Sequence, residues 1–149
     1  MAELLIREAR EEDVARILEL YREAGIEAER AFTPEEARAH LKVFRQYPNY
    51  RIFVAEIDGE IVGTYELLIM DNLAKQGRKS GVVEDVAVSR RHQAKGIGRA
   101  MMTNAREQCK AAGCYKFVLS SGLKRTGAHD FYDALGFERH GYSFRAEIE

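Results

Sequence analysis

A valine-rich run followed at once by a glycine-rich turn and a helical pattern constrains this chain most, and it occupies residues 82–102. β-Branched residues in a short apolar run are typical of a largely buried strand, and here they are Val82, Val83, Val86 and Val88. Apolar residues then recur at the spacing of one helix face, at Ile97, Ala100, Met101, Ala105 and Cys109. The sequence therefore predicts a strand, a tight turn and a helix in direct succession.

The turn between this strand and this helix is a predicted anion site. Gly96 and Gly98 allow the backbone to turn tightly and a ligand to approach the main chain. The first amides of a helix have no intrahelical partner and lie at the positive end of its dipole, so they suit a pyrophosphate. Basic residues cluster at the same place: Arg90, Arg91, His92, Lys95 and Arg99. Any one of them is equally well explained as solvated surface, but the cluster favours phosphate binding.

Two other glycine motifs that bind phosphate do not fit. A Walker A loop requires G-x-x-x-x-G-K-[ST], which is absent from the sequence. A dinucleotide fingerprint requires G-x-G-x-x-G/A, and the third position is occupied here by Met101. A nucleotide-binding oxidoreductase is therefore the least favoured interpretation.

Two segments carry a family resemblance. The Q-x-x-G-x-G pattern of Gln93, Gly96 and Gly98 resembles the acyl-coenzyme A signature of the GNAT N-acetyltransferase superfamily. The segment A-H-D-F-Y-D-A-L-G-F at 128–137 is similar to the A-x-x-F-Y-x-x-x-G-F segment of the same superfamily. The resemblance implies an N-acetyltransferase with acetyl-CoA as co-substrate and the pantetheine arm in a cleft between splayed parallel central strands.

Periodicity along the chain predicts one α/β (α+β) domain over residues 1–149, with a mixed sheet of about six to seven strands and four helices. Strands are predicted at 4–9, 51–57, 60–70, 82–88 and 115–120, and a last one where Tyr142, Phe144, Ala146 and Ile148 alternate with polar residues. Helices are predicted at 11–25, from Thr33 to Pro48, from Gly96 to Gly113, and around 128–135.

Composition narrows the class of protein. The 149 residues carry a formal net charge of −1, which does not favour a nucleic-acid or membrane-surface partner. No apolar run approaches the roughly 20 residues of a spanning helix, and the N-terminal residues lack a signal pattern, so we expect a cytoplasmic protein. Cys109 and Cys114 are predicted to be small buried hydrophobes. The four histidines show no ligand spacing, so no catalytic metal is predicted.

Acetyl transfer to an amine needs a base for the ammonium, donors for the oxyanion and an acid for the departing thiolate. Glu84 is the candidate base, because a carboxylate among valines is unexpected and the resemblance places the superfamily's glutamate there. The alternative is that Glu84 pairs with an arginine or lies on an open face of the sheet. Asp85 points to the opposite face unless a bulge intervenes, and is the weaker candidate. Tyr132 matches the superfamily tyrosine near the cofactor sulfur and is the candidate acid, with a core aromatic as the alternative. His129 is a minor candidate for a proton relay.

The resemblance also assigns the cofactor contacts. The pantetheine arm is expected to lie along the backbone of the valine-rich strand. The pyrophosphate is expected to bind the backbone amides of the loop that follows this strand. The predicted cofactor-binding residues are Val86, Ala87, Val88, Arg91, His92, Gln93, Ala94, Lys95, Gly96, Ile97, Gly98, Arg99 and Arg125. Many relatives have Asn where this chain has Arg125, and the K-R-x-x-A-H-x-F-Y form resembles aminoalkylphosphonate N-acetyltransferases. Lys124 or Arg125 then faces an anionic substrate group or the cofactor phosphates, or lies in a solvated loop.

The acceptor is predicted to be a small-molecule primary amine. One alternative is a protein acetyltransferase that acts on an N-terminus or a lysine. Another is a non-catalytic acyl-CoA-binding module. The acceptor pocket is expected from residues 25–33, Tyr65, Glu66 and Tyr142, where Glu27 and Glu29 either attract a cationic amine or are merely exposed. The last strand is expected to supply the surface of a possible homodimer, by analogy with the superfamily.

Overall fold

The computed structural model describes residues 2–26 and 30–148, and it divides the chain into two compact units, Met1–Val118 and Leu119–Glu149. Glu27 and Glu29, the predicted attractors of a cationic amine, lie outside the described residues. The first unit holds most of the strands and three helices, and the second holds the fourth helix and a C-terminal segment without regular secondary structure.

In the described part of the chain, five strands form one mixed sheet in the order β1-β2-β3-β4-β5. They are β1 (Leu4–Glu8), β2 (Tyr50–Ile57), β3 (Glu60–Met70), β4 (Lys79–Val88) and β5 (Cys114–Leu119). The pairs β1–β2, β2–β3 and β3–β4 are antiparallel. Asp58 and Gly59 join β2 to β3 with φ angles of 49° and 79°, which are the left-handed values of a two-residue hairpin turn.

The predicted count of six to seven strands is wrong, and so is the predicted last strand. Residues 138–148 have no regular secondary structure. Tyr142, Phe144 and Ile148 are 88%, 92% and 92% exposed. Alternating hydrophobicity predicts a strand only where a neighbouring strand supplies hydrogen bonds and one face is covered, and this segment has neither within the described residues.

The four predicted helices are present as α1 (Val14–Ala24), α2 (Pro34–Phe44), α3 (Ile97–Ala111) and α4 (Thr126–Ala134). Gly25 ends α1 with a φ of 68°, the left-handed conformation that glycine tolerates best. The hydroxyl of Thr33 accepts a hydrogen bond from the amide of Glu36 and caps α2 as predicted. That helix ends at Phe44 and does not continue to Pro48, because the residue before a proline disfavours the helical conformation and the last turn unwinds ahead of it.

Helices pack on both faces of the sheet. On one face, α1 contributes Ile17 and Leu20 to a core with Val54, Ile61 and Ala87. On the other, α3 lies so close to the strands that a Cβ built on Gly63 would be 3.0 Å from the sulfur of Met101. A side chain at that glycine of β3 would push the helix away, so the glycine allows the close packing of α3 on the sheet.

Candidate active site

The start of α3 has the features of an anion site. No side chain caps the helix, and Gly96, the residue before its first turn, has a φ of 80°. Ala94 is also left-handed, at 61°. Within the described residues, no acceptor from the chain itself is recorded for the first amides of α3. Such amides lie at the positive end of the helix dipole. The loop therefore presents free donors where the sequence predicts a pyrophosphate.

The side chains of this loop fix its shape. The side-chain amide of Gln93 donates a hydrogen bond through Nε2 to the backbone carbonyl of Val88 at 3.1 Å, which connects the loop to the end of β4. Arg91 forms an exposed ion pair with Glu60 at 2.8 Å. Nδ1 of His92 is buried without a hydrogen-bond partner in the described structure. The uncapped amides of α3 fit a phosphate-bearing group, since such a group supplies acceptors that are not recorded there within the described residues.

A β-bulge interrupts the pairing of β3 with β4. Thr64 pairs with Ala87 and Glu66 pairs with Glu84, so two residues of β4 lie opposite Tyr65. Asp85 is one of them and has a φ of 49°, which is uncommon for a residue with a side chain. The predicted alternation of Glu84 and Asp85 across the sheet therefore does not hold, because the bulge redirects the chain at this point.

Glu66 is a buried carboxylate beside this bulge, with 7% of its surface exposed. Its carboxylate accepts hydrogen bonds from the hydroxyl of Tyr50 at 2.9 Å and from that of Tyr21 at 3.2 Å. Burial and the neighbouring charge of Asp85 raise the pKa of Glu66 to about 7, although both tyrosine hydroxyls oppose the rise. Burial and Glu66 in turn raise the pKa of both tyrosines.

Glu84 lies in β4, as predicted, and is exposed. Partial burial and the charge of Asp85 raise its pKa above the ordinary value. No ion pair of Glu84 with an arginine is recorded within the described residues, so a carboxylate without a cationic partner remains at the surface of the strand. A group in that position can take a proton from an incoming ammonium.

Tyr132 and Arg125 belong to the second unit. Tyr132 lies in α4, edge to face with Phe131 and Phe137 at centroid distances of 5.2 and 5.5 Å. Burial raises its pKa and Arg125 lowers it in part, so the phenol stays protonated at neutral pH. Arg125 precedes the first residue of α4. A ring nitrogen of His129 lies 2.8 Å from the backbone carbonyl of Gly122, within hydrogen-bond distance.

Most of the predicted site residues lie on one continuous stretch of the first unit. Glu84, Val86, Ala87, Val88 and the loop 91–99 follow one another along β4 and into α3. Tyr65, predicted to line the acceptor pocket with Glu66, donates instead to Asn104 of α3 at 2.5 Å. It therefore faces α3, whereas Glu66 faces α1, and the two do not share one surface.

Sequence reasoning missed the two tyrosines that hold Glu66. The helical spacing of Tyr21 with Val14, Ile17 and Leu18 predicts only an apolar face of α1. Tyr50 lies just outside the strand predicted at 51–57. The signal available was Glu66 itself, because it is a carboxylate between Tyr65 and the apolar run L-L-I-M, just as Glu84 lies among valines.

Two absences apply to the described residues alone. In residues 2–26 and 30–148, no group of three or more His, Cys, Asp or Glu is arranged to hold a metal ion. No helix in that same part of the chain is long and apolar enough to cross a membrane.

Comparisons with known proteins agree with this geometry. The model of the acetyltransferase (GNAT) family matches residues 14–137. The glucosamine 6-phosphate N-acetyltransferase of Trypanosoma brucei brucei is 33% identical over 98 residues, which are 66% of this chain and 65% of that protein. N-acetyltransferase 8 of Rattus norvegicus is 34% identical over 62% of this chain and 41% of its own length. A solved structure from Agrobacterium tumefaciens strain C58 superposes with a TM-score of 0.89 at 30% identity, covering 97% of this chain and 99% of that one.

The chain belongs to the GNAT acetyltransferase family. Its match spans just under two thirds of the trypanosomal relative and less than half of the rat relative.

Proposed function

We propose that the protein is an acetyl-CoA-dependent N-acetyltransferase that moves the acetyl group to a primary amine of a small molecule by direct transfer in a ternary complex. The observation that carries the proposal is the uncapped start of α3, which one short loop joins to the strand that bears Glu84, a carboxylate with no recorded cationic partner among the described residues. We treat the chain as one N-acetyltransferase domain, because the family match runs across both units.

When bound, acetyl-CoA supplies a thioester carbonyl that an amine can attack. The amides at the start of α3 and the loop 91–99 hold the pyrophosphate, and the backbone of 86–88 holds the pantetheine arm. Glu84 accepts a proton from the acceptor ammonium, whose ordinary pKa of about 10.4 would otherwise leave almost no free amine. Tyr132 donates a proton to the departing thiolate, a role that rests on its place in the family segment.

The acceptor that we propose is a small amine that also carries an anionic group. The trypanosomal relative is named for glucosamine 6-phosphate, which has an amine and a phosphate. Lys124 and Arg125 offer two cations in one exposed turn before α4, and no anionic partner of either is recorded in the described chain. Aminoalkylphosphonates share this pairing of amine and anion.

The test is release of free thiol from acetyl-CoA against a panel of acceptors. We expect release with glucosamine 6-phosphate or an aminoalkylphosphonate, and much less with glucosamine, polyamines or aminoglycosides. Release only with peptides would favour a protein acetyltransferase. Binding of acetyl-CoA without release for any acceptor would favour a non-catalytic acyl-CoA-binding module. A homodimer and a cytoplasmic location stay predictions.

A further inference from the structure

Two carboxylates are buried in the described part of the chain, and they are held in different ways. Asp13, at 4% exposure, accepts hydrogen bonds from both terminal guanidinium nitrogens of Arg7, at 2.7 and 3.0 Å. Glu66, at 7% exposure, accepts one hydrogen bond on each carboxylate oxygen, from Tyr50 at 2.9 Å and from Tyr21 at 3.2 Å. These two donors are neutral hydroxyl groups, and each of them gives its only proton to the carboxylate.

The strand register places Glu66 next to Glu84, the proposed base. In the antiparallel pair of β3 and β4, Glu66 and Glu84 are direct partners, and the bulge begins only beyond them, between Glu66 and Thr64. Side chains of direct cross-strand partners lie on the same face of a sheet, with Cβ atoms about 4.5–5.5 Å apart. The carboxylate that the two tyrosines hold is therefore the immediate neighbour of the group that we propose to deprotonate the acceptor.

Tyr50 reaches Glu66 from the next strand of the sheet. Ile52 is the direct partner of Glu66 in β2, and Tyr50 lies two residues before it, so Tyr50 projects on the same face. Its ring packs against Phe44 at a centroid distance of 4.2 Å and, edge to face, against Tyr47 at 6.3 Å. This packing and the bond to Glu66 together fix the position of the phenolic oxygen, although the residue itself is only half-buried.

The hydrogen bond to Glu66 determines what the oxygen of Tyr50 offers to a ligand. A phenol has one proton to donate, and when that proton is bound to a carboxylate the oxygen can only accept. We propose that Tyr50 is a specificity-determining residue whose oxygen accepts a hydrogen bond from the acceptor amine, while Glu84 takes a proton from the same nitrogen. Glu66 and Tyr21 are positioning residues that keep this oxygen an acceptor. The inference rests on the proposed function and deepens it.

The arrangement suits a primary amine. One proton of R–NH3+ goes to Glu84, and the oxygen of Tyr50 accepts one of the two N–H bonds that remain, which orients the nitrogen lone pair. The lone pair forms the C–N bond with the thioester carbonyl, the C–S bond breaks, and a second proton leaves the nitrogen for the thiol of coenzyme A. A hydroxyl group in place of the ammonium gains less, because a hydrogen bond from a neutral donor is about half as strong as one from a cation.

The first measurement does not depend on acetyl transfer. Calorimetry on the complex with coenzyme A gives the Kd of glucosamine 6-phosphate and of glucose 6-phosphate, which has a hydroxyl in place of the amine. A second pair is an aminoalkylphosphonate and the alkylphosphonate that lacks its amine. At about pH 8.5, above the pKa of about 7 of Glu66, the carboxylate is ionised and the ammonium is still protonated.

We expect Tyr50→Phe to raise the Kd of the amines by about tenfold and to change the Kd of the ligands without an amine much less, because a hydrogen bond to a charged group is lost only from the former. The ring of Phe keeps the packing against Phe44. Tyr47→Phe is the matched control: its ring contacts that of Tyr50, no bond of its hydroxyl to Glu66 is recorded in the described chain, and neither Kd should change.

A double-mutant cycle then shows whether Glu66 acts through Tyr50. Glu66→Met keeps the length of the side chain but has no carboxylate, so the hydroxyl of Tyr50 is free to turn its proton toward the ligand. We expect Glu66→Met to raise the KM of the acceptor as Tyr50→Phe does, and the double variant to be no worse than Tyr50→Phe alone. Additive effects would mean that Glu66 acts by its own charge or packing, and would overturn its positioning role.

The remaining outcomes separate the inference from the proposed function. Acetyl transfer with an unchanged acceptor KM in Tyr50→Phe would overturn the inference and leave the proposed function standing. A selective loss of amine binding in Tyr50→Phe, in a protein that transfers no acetyl group, would support the amine contact and refute the proposed function. An equal loss of ligands with and without the amine would show a general disturbance of the site and overturn the inference. If neither anionic amine binds the unaltered protein, the inference and the proposed acceptor class are both overturned.

Discussion

Glu84 is the residue on which the proposed chemistry depends most directly, and Glu84→Gln tests it without changing its size. We expect kcat near neutral pH to fall by about 10²-fold, the typical contribution of a general base, because the amide cannot accept the proton. The Kd of acetyl-CoA should not change, since Glu84 is not among the proposed cofactor contacts. Glu107→Gln, which alters an exposed carboxylate of α3, is the control. A wild-type kcat in Glu84→Gln would return Glu84 to the open sheet face that the sequence also allowed.

Tyr132 is tested by Tyr132→Phe, which keeps the ring that packs against Phe131 and Phe137. We expect kcat to fall about tenfold or more, because the departing thiolate loses its proton donor, while the melting temperature stays close to that of the unaltered protein. Steady-state rates are the measurement, with Tyr47→Phe as an exposed control. Rates that match the unaltered protein would leave Tyr132 as a core aromatic of α4.

At the scale of elements, the start of α3 allows an effect on acetyl-CoA affinity to be distinguished from an effect on stability. Gly96 has a φ of 80° with open space where a Cβ would lie. We expect Gly96→Val to raise the Kd of acetyl-CoA by at least about tenfold, or about 1.4 kcal/mol, because a branched residue cannot hold that turn and the amides lose their alignment. Gly113→Val is a matched control, because Gly113 has a φ of 79° and equally open space beyond the other end of the same helix.

Calorimetric titration with acetyl-CoA distinguishes the two glycines. Both variants carry comparable backbone strain, so both should lose stability, but only Gly96→Val should lose affinity. An equal loss of affinity in both would mean that strain in α3 as a whole, and not the phosphate loop, controls binding.

How far the sequence predicts each element depends on whether the signal is local. Thr33 and Pro34 mark the start of α2 and Asp58-Gly59 marks the hairpin, because each determines a backbone conformation within a few residues. The bulge at Asp85 has no such signal, since it arises from the pairing of β4 with β3. The segment around Tyr142 shows the converse: its alternation is clear, but a strand needs a partner that the pattern does not contain.

The same division holds for the candidate site. The glycine loop and Glu84 are predictable, because the chemistry and the sequence pattern occur together on one strand and one helix start. The contacts of Glu66 are not, because Tyr21 and Tyr50 come from two elements that only the fold brings together. A carboxylate within an apolar strand is the hint that the sequence offers, and it identifies the residue without its partners.

At the scale of the whole molecule, the two buried carboxylates make stability depend on pH in opposite directions. Burial by itself raises the pKa of Asp13, but the hydrogen bonds and charge of Arg7, with the backbone hydrogen bond and charge of Arg10, together outweigh burial and hold that pKa below its ordinary value. Asp13 therefore stabilises the fold above the pKa it has when unfolded, and that stability is lost as pH falls. The pKa of Glu66 is raised from 4.5 to about 7, so its contribution is complete below 4.5 and is lost as pH rises to about 7.

The free energy of unfolding should consequently reach its maximum between about pH 4 and 5 and decline toward neutrality, by an amount on the order of a few kcal/mol at about 1.4 kcal/mol per pKa unit. Urea unfolding followed from pH 3 to 8 measures this directly. Glu66→Gln should remove the decline above pH 5, because its amide does not titrate, whereas Glu107→Gln should keep it. Asp13→Asn should remove the loss on the acid side. If Glu66→Gln kept the decline, the charge that destabilises the fold near neutrality would have to lie elsewhere, and Glu66 would be ionised at no cost to the protein.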